Sequence, residues 1–402
     1  TSRNLNEFNF VVCVERNGIE IAKKQLKALD LAPWQTAKVK IDLPYFNDKE
    51  AGEYFYTLKF LDKNETPYSA TGFEVAREQF FIKKNAYACE KSAKAPTYTQ
   101  NGQFVKVVAN NAEIVFDKSK GELVSYSVFG KPIITKPITF DIQTAWIDNY
   151  RPRIQKIFER ENLESLSSYN ESFKVVPQSD CVKLIFAKEL LNEQKKGFKV
   201  NTVFSVLGNG TVAVSVSAEC VNLSKNLILP RLGVKMGIDK NYATAQYFGK
   251  GPWANYVDRP ACTNVGFYTQ KVFDFYENFT WPQDTGNREQ VRFFAVKDQN
   301  KDSGLVFSMP NKPLPVAYLP YTQSEIKNAK HTYLLPAAPE NYELRIAAQV
   351  CGLGNNSCGD LPEHKYRLNL QNQFKFEFAI KPFLGCPIKE GMTPLCPEYL
   401  KK

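Results

Sequence analysis

The stretch AQYFGKGPWANYVDRPACTNVGFYTQKVFDFYENFTWPQDTGNREQVR, Ala245–Arg292, decides how this chain of 402 residues is read. It holds two punctuated loops, Gly249–Pro260 and Trp281–Arg288, joined by an aromatic run. Gly249, Gly251 and Pro252 force turns. Asn255, Tyr256, Asp258 and Arg259 offer hydrogen-bonding groups beside Trp253, and Gly286, Asn287 and Arg288 repeat the arrangement after Trp281 and Pro282. Arginine next to Asp and Asn suits charge-assisted bonds that pin one loop on the other. Tryptophan beside Pro and Gly more often locks a loop than offers a platform for ligand stacking. The expected product is a rigid loop platform on a large β-sandwich.

On these residues the chain resembles a known family. GPWANYVDR is similar to the GPxENYxDR signature of family 2 glycoside hydrolases, the β-galactosidases, with Ala254 where that family carries Glu. PQDTGNREQVR resembles the PxExGxRxxVR-type segment that follows it, and YTQSEIKNAKH at Tyr321–His331 is close to a further family segment. A weaker likeness, to an RAPTDND-type loop, falls at Phe140–Pro152 through Trp146, Asp148 and Asn149. The resemblance implies an all-β chain: an immunoglobulin-like β-sandwich over residues 1–84, a linker at 85–98, a large antiparallel supersandwich of galactose mutarotase-like type over 99–383 with one or two short helices, and a tail at 384–402.

Patterning outward from the signature points the same way. Phe8–Glu15, Val39–Leu43, Glu53–Leu61 and Phe73–Ile82 alternate as strands do, with a hairpin turn at Asn17–Gly18. Lys83–Tyr98 is rich in Lys and Ala and reads as a linker. Asn110–Asn111 joins Gln103–Ala109 to Ala112–Phe116, and Gly208–Asn209–Gly210 joins Phe198–Leu207 to Thr211–Glu219. Glu343–Cys351, Lys365–Asn369 and Phe374–Lys381 are further expected strands. Helical spacing appears at Ile154–Leu166, and at Tyr321–His331, where Thr322 and Glu325 make a capping box.

Composition narrows the function. The formal charge is +10, yet Lys and Arg are interspersed with Asp and Glu, and the densest cluster is the short NEQKKGFK at Asn192–Lys199. That is not a nucleic-acid stripe. No apolar run reaches the roughly 20 residues of a membrane helix. Thr1 runs almost directly into a strand with no Met and no leader, so the chain is expected to begin inside a longer, soluble polypeptide, with a periplasmic or secreted parent left open. The nine cysteines lack CxxC spacing or neighbouring His; buried thiols are expected, with a Cys386–Cys396 disulfide as the alternative.

Retaining glycoside hydrolysis needs two carboxyl groups about 5–5.5 Å apart. In the resembling enzymes both come from a (β/α)8 barrel with a divalent metal nearby, and this chain has no β/α alternation long enough for one. Asp274 with Glu277, or Glu159 with Glu161, are neighbours in sequence only, and read as solvated charges. His331 and His364 are the two histidines, one expected at a helix end and one in a loop. No catalytic residue, metal ligand or cofactor is therefore assigned. The best candidate for contact with a sugar is GLGNNSCG, Gly352–Gly359, where glycines expose backbone around Gly354, Asn355, Asn356, Ser357 and Cys358. In the family a GxGxDDSWG-type loop enters the active site and its Trp stacks on the sugar; Cys358 stands at that place here. The resemblance implies a non-catalytic region that supports an upstream barrel, lends it this loop, meets a β-galactoside there, and takes part in self-assembly. A free-standing carbohydrate-binding module and an aldose epimerase-like enzyme are the alternatives.

Overall fold

A computed structural model describes residues 2–356 and 359–401. It contains two compact units, residues 1–87 and 88–402. The first is a four-stranded antiparallel sheet in the order Ile19–Gln25, Phe8–Arg16, Gly52–Asp62, Glu74–Asn85. The Asn17–Gly18 turn forms as read, with both residues in the left-handed region that a tight hairpin needs. Stacked pairs Phe10–Phe60 and Tyr56–Phe80 couple neighbouring strands. The strand expected at Val39–Leu43 does not form: that segment carries no ladder, and most of its side chains face water. Alternation without a partner strand does not make a strand.

The second unit is two nine-stranded antiparallel sheets. One runs Ser167–Pro177, Cys181–Leu191, Gly197–Leu207, Val212–Val221, Gln373–Leu384, Ser303–Ser308, Phe293–Lys297, Thr244–Gly251, Asn264–Lys271. The other runs Arg288–Val291, Leu314–Leu319, Asn341–Val350, Arg231–Asp239, Lys131–Asp141, Glu122–Val128, Ala112–Asp117, Phe104–Ala109, Thr97–Asn101. Rings from facing sheets meet in the core: Phe116 on Phe204 at 5.3 Å, Phe140 on Phe198 at 5.2 Å and Phe294 on Tyr318 at 5.7 Å. This is the all-β, large antiparallel architecture expected. The helices are short. Gln323–Asn328 starts at the Thr322–Glu325 capping box, and Lys156–Arg160 continues a wider turn, Arg151–Gln155. Among the described residues no helix is long and apolar enough to cross a membrane.

Two further expectations are corrected. Lys365–Asn369 is no strand: a short turn at His364–Tyr366 replaces it, followed by a single bridge from Asn369 to Ile228. The disulfide joins Cys89 to Cys396, not Cys386 to Cys396; Cys386 is an exposed free thiol. The reason is tertiary. A bridge between Glu90 and Leu395 lays residues 89–90 beside the end of the chain and brings the two cysteines to a Cα separation of 5.3 Å. That end is fastened to the nine-stranded sheet that begins with Ser167–Pro177. Lys183 Nζ donates to the carbonyls of Glu398 and Lys401, Ser205 Oγ to that of Tyr399, and Tyr399 packs with Cys181, Leu207 and Ala379.

Candidate functional site

Loops 249–260 and 281–288 meet, and two asparagines join them. Asn255 N–H donates to the Asn287 carbonyl at 2.9 Å, and Asn287 Nδ2 returns a bond to the Asn255 carbonyl at 2.9 Å. Asn255 Oδ1 accepts from Glu289 N–H, while its Nδ2 donates to the carbonyls of Lys250 and Trp253. Both residues are buried. Arg288 is also buried, and it binds no carboxylate through the hydrogen bonds it makes. Its guanidinium donates to Tyr247 Oη, Gln270 Oε1 and the carbonyls of Gly286 and Asn287, 4.6 Å from the centre of the Phe275 ring. Gly286 has φ +80°, and a Cβ there would meet the Phe275 carbonyl at 2.7 Å, so only glycine fits. The joint expected from Arg and Asp is thus made by a reciprocal Asn pair.

Asp258 has a different destination. Its two carboxylate oxygens accept from the N–H groups of Leu353 and Gly354, at 3.0 and 2.8 Å. The signature loop therefore holds the start of the glycine-rich loop. Tyr150 Oη donates to the carbonyls of Cys351 and Gly352 at 3.0 Å, and Asn149 Nδ2 to that of Gly354. Asn356 Nδ2 returns a bond to the Asn149 carbonyl at 3.2 Å. Gly354 needs its left-handed φ of +64°, and Gly352 has no room for a Cβ because the Asp258 carboxyl lies 2.7 Å from where it would be. Asn355 is exposed at the turn. Ser357 and Cys358 lie outside the described residues.

Beside this loop is a polar hollow of about 210 Å³, lined by Asn149, Tyr256, Arg259, Glu277, Asp284 and Leu353 among others. Arg259 is exposed there, while Tyr256 is buried and forms part of the lining, its phenol pushed up by burial and by Asp284. Trp253 and Trp281 do not lock the loops from within: they are 66% and 54% exposed, and the Arg151 guanidinium lies 4.2 Å from the Trp281 ring centre.

Behind the hollow runs a buried charge network that the sequence reading missed. Arg345 Nε and Nη2 bond Asp141 Oδ2 at 2.9 and 2.7 Å, and Nη1 reaches Asp284 Oδ1 at 3.5 Å. Burial alone would raise the Asp141 carboxyl, but Arg345, with Lys235 and Arg231, outweighs it and holds Asp141 below the usual carboxylate range. Glu289 has no such cation in bonding distance: Asn287 Nδ2 donates to it at 2.8 Å, and burial pushes its carboxyl up to about 7.

A family model described as the β-galactosidase small chain matches residues 108–380. The chain belongs to this family. A second model, described as β-galactosidase domain 4, matches residues 1–83. Curated relatives named β-galactosidase agree. That of Priestia megaterium is 25% identical over 94% of this chain, and that of Streptococcus thermophilus 23% identical over 94%. The chain spans 36% of the length of either relative. Among solved structures, a galactose 1-epimerase from Lactobacillus acidophilus NCFM covers 72% of this chain and 99% of its own, at 8% identity and a TM-score of 0.37; at that level nothing about activity follows.

Three carboxylates line this hollow: Asp148, Glu277 and Asp284. Asp284 accepts from Gln323 Nε2 at 2.9 Å and faces Arg345; Asp148 pairs with Arg151 at 3.4 Å. Asp274 accepts from Lys271 N–H at a turn, Glu159 from Gln155, and Glu161 pairs with Lys196. His331 stacks on Tyr333 and begins the Thr332–Leu334 turn; the helix ends earlier, at Asn328. Among the described residues, no three His, Cys, Asp or Glu side chains gather where a cation could be held.

Proposed function

We propose that this small-chain region is the non-catalytic part of a family 2 glycoside hydrolase. It would support a (β/α)8 barrel in the same polypeptide and complete that barrel's β-galactoside pocket with the Gly352–Gly359 loop. Any divalent metal would belong to the barrel. One observation carries this reading: Asp258, Tyr150 and Asn149, from two separate loops, all bind backbone between Cys351 and Gly354. Such fastening fixes the base of a loop and leaves its tip to meet a ligand. The isolated chain should not hydrolyse a nitrophenyl β-galactoside above the uncatalysed rate, and turnover by the pure chain would overturn the reading. In a polypeptide that carries the barrel, Asp258→Asn should raise KM several-fold with kcat nearly unchanged; a fall in kcat at constant KM would show that the loop does not serve binding.

A further inference from the structure

Far from the signature in sequence, three turns of the second unit line one hollow: Ala109–Ala112, Val128–Lys131 and Leu207–Thr211, beside the end of strand Gln373–Leu384. Its volume is about 500 Å³, within the roughly 300–1,000 Å³ usual for small-molecule sites. It is separate from the hollow beside Asp258: the two share no lining residue.

Phe129 is the unusual residue. It sits at φ +50°, in the hairpin turn before Gly130. L residues with bulky side chains avoid this left-handed region, and Asn, Asp or Gly normally fill such a turn. The ring gains little burial in return, for Phe129 remains 58% exposed while lining the hollow. A strained backbone carrying an exposed aromatic is a reason to look for what the ring touches. Asn110 and Asn111, in the turn between Ala109 and Ala112, also line the hollow. Glu90 and Lys381 lie at the back as an ion pair of 2.7 Å, with Asn209 and Thr211 donating to Glu90. Lys389 and Glu390 add one charge of each sign at the rim.

We propose that this hollow binds a neutral hexopyranose, with Phe129 against the apolar face of the ring and Asn110 and Asn111 on its hydroxyls. An aromatic face with planar amides suits a molecule that is apolar on one side and hydroxylated at its edge. Balanced charges favour neither an anion nor a cation. The site would act as a surface attachment point, independent of the loop at Gly352–Gly359.

Saturation-transfer NMR and calorimetry on the whole chain, with methyl β-galactoside and methyl β-glucoside, test the proposal. Binding of at least one at Kd of roughly 1–10 mM is expected, whereas sorbitol, a polyol without a ring, should not bind. Phe129→Asn separates function from fold. Asparagine suits the left-handed turn, so the melting temperature should rise, while affinity falls at least tenfold. Asn111→Ala should weaken binding several-fold, and Asp258→Asn should leave it unchanged. No binding by the unaltered chain, equal binding of sorbitol, or full affinity in Phe129→Asn would overturn the proposal. Loss of binding in Asp258→Asn with full retention in Phe129→Asn would place the sugar at the other hollow and overturn it too.

Discussion

The joint between the two signature loops and the glycine-rich loop beside it are built from adjacent residues yet answer to different physics. Asn255, Asn287 and Arg288 are buried, and every contact they make is within the protein. Asp258, three residues from Asn255, spends both carboxylate oxygens on the backbone of a loop near the surface. A run of polar residues read as one motif is therefore two devices. One is a buried hydrogen-bonded joint in which, of the side-chain atoms of the Asn pair, Asn287 Oδ1 alone goes without a partner among the described residues; the other positions the start of a loop in which Asn355 is exposed. The first should fail globally when broken, the second locally.

The largest effect is expected at the joint. Asn287→Leu removes the donor to the Asn255 carbonyl and to Glu289 Oε1, both inside the protein. Each stranded buried acceptor costs about 1–3 kcal/mol, so unfolding in urea should show a loss of about 3 kcal/mol with an unchanged m-value. A loss below about 1 kcal/mol would mean that these bonds are decoration on a joint held by packing.

How much of this was legible in the sequence follows from range. Turns that need left-handed residues advertise themselves locally, and Asn17–Gly18, Asn110–Asn111 and Gly208–Gly210 were read correctly. Strand Leu314–Leu319 is buried at every residue, so it lacks the alternation that marks a strand with one wet face. Strand Lys131–Asp141 carries Pro132 and Pro137, which argue against a strand until the register irregularities beside it are seen. That the two loops meet was legible from their composition. That Asn pairs with Asn, and that Asp258 reaches Leu353 some 95 residues on, was not, because side chain to backbone bonds leave no local signature. The Cys89–Cys396 bond, spanning 307 residues, is hidden for the same reason.

The second prediction sharpens the comparison from the buried side. Glu289 in the folded chain titrates near 7 because burial disfavours its charge, against 4.5 for an ordinary glutamate. Asn287 and the more distant Arg231 and Lys250 work against that shift, and Asp258 adds to it. The folded state thus holds a proton that the unfolded chain has released. This contribution to stability is complete below pH 4.5 and is lost as pH rises to about 7. Glu289→Gln removes the loss. The variant should match the parent at pH 4 and exceed it at pH 8 by about 3 kcal/mol, read as melting temperature against pH. A parallel offset at both pH values would mean that the carboxyl is ionised throughout.

The smallest effect should come from Asp258→Asn, and its location matters more than its size. Asparagine keeps one acceptor oxygen and turns an N–H2 toward the other amide, so one of the two loop bonds is lost. A cost of about 1 kcal/mol is expected. It should appear in native-state hydrogen exchange as faster exchange at Leu353 and Gly354, with Asn255 and Glu289 amides as slow as before. Tyr150 and Asn149 still hold the carbonyls of Cys351, Gly352 and Gly354, so the loop should loosen without leaving. If exchange instead quickens equally at Asn255 and at Gly354, the joint and the loop open as one unit, and their division into a structural core and a positioned rim fails.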